Sequence, residues 1–256
     1  MSGFEPGGTD SAGQPWAGRH FEQNTAADDD GSAPEHLIEA IRRFRAREVG
    51  EVEVLDALRT SRLLIPLVAH LGESGHNDHG QLVDKTQELA IVTVAGPDGR
   101  TVLPAFTSVA AMSAWNPMAR PIPAEAVRVA LAAAHEQTDL VVLDARSATE
   151  FAIRRPALWS LANGERWLPS YLDEAVLDAF AAGAKGEPAL KSIALAPGDP
   201  DARLAGPELV VQLAVQPGLD QPTLDALLGR LQQRWAEAPV IAERVDSLRV
   251  QLLSAV

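Results

Sequence analysis

Cysteine is absent from all 256 residues. That excludes disulfides, thiolate metal centres and a thiol nucleophile together. Cations are scarce: 22 Lys and Arg face 35 Asp and Glu, a formal charge of −13. Such a surface repels a phosphate backbone unless its basic residues are segregated. The nearest approach to a basic cluster, Arg42, Arg43, Arg45 and Arg47, is spread around an expected helix. Nucleic acid is therefore disfavoured as a partner, and so is an anionic membrane surface. No apolar run reaches the roughly 18 residues a bilayer span needs. Residues 1–33 lack the basic start and apolar run of a signal peptide, so a cytoplasmic setting is expected. No G-x-x-x-x-G-K-[ST], G-x-G-x-x-G or G-x-S-x-G pattern occurs. Hence no cofactor and no catalytic residue is expected.

Aromatics make up 5 % of the chain while 46 % is hydrophobic. Ala, Leu and Val must fill most of the interior. The length fits one large or two small domains. Residues 1–33 read as a flexible acidic tail, with six acids against one Arg. Within it, Trp16, His20 and Phe21 form a short aromatic group suited to docking or merely incidental. Ser32 or a neighbour is placed to cap a helix near Pro34, and Leu37, Ile38, Ile41 and Phe44 share its face. A short helix with Val52, Leu55 and Leu58 inward follows, then a strand over 62–71.

A β-hairpin comes next, 88–95 and 100–108, turning at Gly96-Pro97-Asp98-Gly99. Pro fixes φ there and Gly accepts positive φ. Pro104 inside its second strand implies an edge or a bulge. A short helix is expected over 109–115 and a longer one from about Ala124, introduced by Pro121 and Pro123. Strands over 140–144 and 150–153 and helices over 156–162 and 171–182 complete a first domain, 34–183. Gly183, Gly186 and Pro188 mark a boundary. Residues 188–256 read as a small β-β-α-β domain, with Leu224, Leu227, Leu228, Leu231 and Trp235 as the helix stripe. The expected class is α+β, with a mixed, mostly antiparallel sheet and helices in the first domain.

Asp84-Lys85-Thr86 with Glu88-Leu89-Ala90, the hairpin, Leu103-Pro104-Ala105-Phe106-Thr107-Ser108, Ala114-Trp115-Asn116-Pro117 and Arg120-Pro121 resemble the N-terminal domain of the enhanced-serine-sensitivity (SseB) family. The chain after Pro188 is similar in strand order to that family's C-terminal domain. The resemblance implies an α+β fold and a cytosolic setting, and it brings no established catalytic residues. In many relatives an Asn-Pro pair follows the strand equivalent to 140–143; here the place reads Asp144-Ala145.

Three groups of residues could carry function. His70, His76 and His79 with Glu73, Asp78 and Asp84 are ordinary metal-ligand types. Their H-x5-H-x2-H spacing in a Gly-rich loop fixes no geometry, so a solvated loop is the better reading. Paired acids (Glu51/Glu53, Asp173/Glu174, Asp199/Asp201) read as solvated faces or helix starts. The third group is a binding surface: Phe106, Thr107, Trp115 and Asn116 after the hairpin, and Arg154 and Arg155 with Trp159, Arg166 and Trp167. Trp and Arg are favoured at interface hot spots; the alternative is that the tryptophans cap packing and the arginines are solvated. The expected function is a non-catalytic interaction or regulatory protein with a protein partner, a homodimer included. A small-molecule binding protein or enzyme, serine-related through the family phenotype, is the alternative.

Overall fold

The computed structural model of the chain describes residues 29–70, 75–76, 82–83 and 88–254. Leu37, Ile41 and Phe44 stand three and four apart, so one helical face carries them. They are buried on α1 (Glu35–Arg45). Pro34, not Ser32, holds the cap position, and its carbonyl accepts from the N–H groups of Leu37 and Ile38 at 3.1 Å. α2 (Glu51–Arg59) buries Val54, Leu55 and Leu58.

β1 (Arg62–His70) is central to a three-stranded sheet. β2 (Gly75–His76) and β3 (Leu82–Val83) pair antiparallel with each other. β4 (Glu88–Ile91) and β7 (Arg120–Glu125) flank β1, both antiparallel. β7 is a correction. Pro121 and Pro123 do not open a helix; they lie opposite Pro66 and Leu64, and α4 (Ala126–His135) begins after them. Proline cannot donate to a ladder, and β7 is an outer strand where that loss is tolerated.

The hairpin forms at its expected turn but is shorter. β5 (Val94–Ala95) and β6 (Thr101–Ala105) close on it, with Gly96 N–H bonded to Arg100 O at 2.7 Å and Gly99 at φ +83°. β6 runs parallel to β8 (Leu140–Leu143), which pairs antiparallel with β9 (Phe151–Arg154), giving the order β5-β6-β8-β9. Pro104 is thus buried on an interior strand opposite Val142, not at an edge. Leu64 and Phe106 exchange two backbone bonds (2.8 and 2.9 Å), joining β1 to the end of β6.

α3 (Val109–Trp115) is capped by Ser108, and α5 (Arg155–Asn163) stops at Gly164 (φ +68°). A 3-10 turn (Ser170–Leu172) leads into α6 (Glu174–Gly183). The remainder is β10 (Leu190–Pro197), β11 (Leu209–Val215), α7 (Gln221–Ala236), α8 (Pro239–Arg244) and β12 (Leu248–Ser254). β11 is central, antiparallel to β10 and parallel to β12. The expected order holds, with α8 added. The architecture is α+β.

Two large apolar clusters result. One joins α1, α2, α4 and α5 to β1, β6, β8 and β9. The other joins β11 to α6, α7 and α8 through Phe180, Leu209, Val211, Leu231 and Trp235. α6 ends at Gly183 yet packs with the residues after Pro188. Trp235 donates to Phe180 O at 3.1 Å and meets its ring edge-on at 5.0 Å.

The β10–β11 connection demands glycine at two points, Gly198 and Gly206. A Cβ on Gly198 would stand 2.2 Å from Pro207 O. Gly198→Ala is expected to cost about 1–3 kcal/mol by forcing that backbone apart. Gly229, on the exposed face of α7, has nothing within 4 Å of a built Cβ. There Gly229→Ala should gain about 0.5–1 kcal/mol from helix propensity. Urea unfolding midpoints of the two variants should therefore move in opposite directions.

Candidate binding groove

The six residues singled out in the sequence divide sharply. Phe106 is fully buried, with Leu64 and Met112, under the ring of Trp115 at 5.3 Å. Thr107 is buried; its N–H and Oγ1 donate to Asp144 at 2.8 and 2.7 Å, and Thr149 Oγ1 donates to the same carboxylate at 2.7 Å. Both belong to the interior and offer no exposed contact. Asp144, at φ +46°, ties the end of β8 to the end of β6. Trp115 and Asn116 are partly exposed, and Asn116 Oδ1 accepts from Met118 N–H at 3.0 Å, closing the turn after α3. The sequence alone could not separate these cases, because burial here depends on the β1–β6 contact.

Arg154 is also buried, at the end of β9. Its guanidinium bonds Asp199 at 2.7 Å, Asp246 at 3.0 Å and Gly206 O at 2.9 Å. Arg100, delivered by the hairpin turn, makes a two-pronged contact with the same Asp246 (2.9 and 3.0 Å). Asp199, expected on a solvated face, instead accepts from Arg154 and from the N–H groups of Arg203, Leu204 and Ala205. Burial works to raise the pKa of Asp246, but the Arg100 contact, seconded by Arg154, outweighs it and holds this carboxyl below its ordinary value.

A second acidic group lies against this clasp. Glu208 is buried and accepts from Asp246 N–H at 2.6 Å and Ser170 N–H at 3.3 Å; burial still pushes its pKa up. Glu51 accepts from Tyr171 Oη at 3.1 Å. Burial, with the Glu208 charge adding to it, drives Glu51 up to about 7. Glu53 instead accepts from Gly50 N–H at the start of α2, and Asp173 caps α6.

Arg155 lines a surface cavity beside α5 together with Trp159. It donates to Ala242 O and Val245 O at 2.8 and 3.1 Å, binding the last carbonyls of α8. Its guanidinium also lies 5.3 Å from the Trp159 ring centre, within cation–π range. Trp159 projects from α5 and remains 50 % exposed. It lines a groove of about 670 Å³ with Trp167, Arg166, Asp173, Glu243 and Arg244 among its walls. Arg244 is tied to Asp173 at 2.9 Å. Arg166 is exposed, and among the described residues it forms no ion pair. Ser160 donates its Oγ to Ala157 O on its own helix and accepts from Arg59. Asp173 serves as a cap and as the partner of Arg244. The groove therefore assembles aromatic faces and mixed charges, with Ser160 and Asp173 held in scaffold contacts and Glu165 and Glu243 at its rim.

His70, His76 and His79, with Glu73, Asp78 and Asp84, have side chains outside the described residues, as do Trp16, His20 and Phe21. Among the described residues no group of His, Asp and Glu is arranged to hold a metal, and no helix is long and apolar enough to cross a membrane.

Residues 37–160 match the family model of the SseB protein N-terminal domain. These residues, a little under half of the chain, form an SseB-type N-terminal domain. No curated protein and no solved structure matches it. The SseB match contains Phe106, Thr107, Trp115, Asn116, Arg154 and Arg155 and runs into α5 as far as Ser160, so Trp159 lies inside it. Arg166, Trp167, Glu243 and Arg244 lie beyond it, and the groove draws on both parts.

Removing Arg154 leaves two buried carboxylates without their shared cation. Arg154→Ala should cost about 3–5 kcal/mol, read as a lowered denaturant midpoint. Glu51 generates a pH prediction. Its carboxyl titrates higher in the fold than in the unfolded chain, so its stabilising share is complete below the ordinary glutamate value. That share drains away as pH rises through about 7. Glu51→Gln keeps an acceptor for Tyr171 and removes the titration. The variant should match the parent near pH 4 and exceed it in melting temperature at pH 8; an unchanged difference across that range would contradict the assignment.

Proposed function

We propose that this chain is a non-catalytic binding protein that takes a partner protein's segment in the groove beside α5. The observation that carries the reading is Trp159, half-exposed over the groove and held by the Arg155 guanidinium at 5.3 Å. An immobilised, exposed Trp flanked by Arg loses little freedom on binding, which is the property of an interface anchor. Trp167 and Leu168 extend the apolar strip, while Arg166, Glu165 and Glu243 rim it with both signs of charge. A cytoplasmic setting and a regulatory role belong to the same reading.

The experiment is affinity capture with the parent and with Trp159→Ala and Arg166→Glu. Both side chains are exposed, so each variant should melt within a few degrees of the parent. A partner bound by the parent should be lost from Trp159→Ala and weakened by Arg166→Glu. An unchanged set of captured proteins would refute the groove as the site. One observation supports the alternative of a small ligand. The groove's volume lies in the range of ligand pockets, and it offers guanidinium and carboxylate groups to opposite ends of a zwitterion such as serine. A melting temperature raised by free serine, and not raised in Arg166→Glu, would favour that reading over a protein segment.

A further inference from the structure

β12 is exposed along all seven of its residues. Among the described residues it forms one edge of the β10-β11-β12 sheet. Leu209 N–H bonds Ser247 O at 3.0 Å, and the β11–β12 register is parallel, Leu209 opposite Leu248. In a parallel ladder alternate residues point their backbone groups to the same side. Arg249, Gln251 and Leu253 therefore turn toward β11. Leu248, Val250, Leu252 and Ser254 turn their N–H and C=O groups to the open edge.

The side chains repeat the pattern. Leu248, Val250 and Leu252 share a face with Leu209, Val211 and Leu213, the face that α6, α7 and α8 cover. On β11 those residues are fully buried, but on β12 they stay 37–39 % exposed. The helix layer stops short of the edge. Long edges are usually protected by lysine, proline, a bulge or an inward charge. β12 has no lysine, no proline and an unbroken register, and Arg249 is its one charge.

We infer that β12 is the pairing edge of a two-fold dimer of this chain, formed antiparallel about Gln251. This register joins Val250 to Leu252 and Leu248 to Ser254 across the interface, so all four outward residues find hydrogen-bond partners. The apolar stripe of one copy continues into that of the other. Gln251 meets its own mate, amide to amide, and Arg249 faces Leu253. The two Arg249 side chains stand four residues apart, about 13 Å along the strand at roughly 3.3 Å per residue, beyond the Debye length of about 8–10 Å. Charge favours a second copy as the occupant. In a chain of net charge −13, this edge carries no acid at all, so here two like-charged copies approach with least repulsion. A single arginine offers an acidic partner little to bind.

Sedimentation over a concentration series tests the inference. The parent should sediment as a dimer at high concentration and dissociate on dilution. Leu252→Lys should be monomeric, with the parent's circular dichroism and melting temperature, because this side chain lies at the surface. Gln251→Cys places the chain's sole thiols directly opposite each other and should give a disulfide-linked dimer on mild oxidation. Arg249→Cys should not, because its copies lie beyond disulfide reach. A parent that stays monomeric throughout, a dimer that survives Leu252→Lys, or equal cross-linking of the two cysteine variants would each overturn it.

Discussion

Arg154 is clasped between Asp199 and Asp246, and much of the molecule is arranged by that contact. One buried guanidinium faces two buried carboxylates, and Arg100 completes the balance from the hairpin turn. In an interior of low dielectric such charges are tolerated only when every partner is present and well placed. The clasp therefore fixes the end of β9, the loop after β10 and the approach to β12 relative to one another. Because α5 starts at the next residue, its direction is set at the same point. Trp159 and the groove follow from that direction. α1 is fastened to the same loop: Arg47 bonds Pro200 O at 2.5 Å and Asp201 at 2.8 Å, and Arg45 reaches Asp201 O and Glu150 O.

Features that depend on near neighbours were legible in the sequence. Gly96-Pro97-Asp98-Gly99 makes its turn, and Asn163-Gly164 stops α5, because each acts through its own backbone. The apolar spacing of α1 and α7 was legible for the same reason. Long-range features were not. Pro121 and Pro123 belong to a strand only because β1, more than fifty residues earlier, lies alongside. Asp246 has no local mark; its two cations are 92 and 146 residues away in sequence. Asp199 looked like a surface acid until the fold brought Arg154 over it. In the site, the sequence found the Arg and Trp group but could not tell which members face out. Phe106, Thr107 and Arg154 became scaffold, while Trp159 reached the groove with Arg155 against its ring.

The buried acids are unevenly distributed. Asp199, Asp246, Glu208 and Glu51 lie close enough to act on one another's charges, and only the first two contact the Arg154 guanidinium. Glu208 is held by backbone N–H groups and Glu51 by a phenol. Dipoles thus do for two carboxyls what full charges do for the others. The difference appears in their titration: Asp246 is drawn down, while Glu51 and Glu208 are pushed up. None of these four acids lines the groove, and Arg155, next to Arg154 in sequence, bonds Ala242 O and Val245 O and lies against Trp159.

Every cation in the clasp and on the groove is an arginine. The chain has only three lysines, Lys85, Lys185 and Lys191. Lys185 and Lys191 are exposed and border neither feature. Amine-directed chemistry, whether a fluorescent label, a surface tether or an acylating agent, thus passes over the charges that hold the fold together. A dye attached at Lys185 or Lys191 leaves the clasp and the groove chemically untouched.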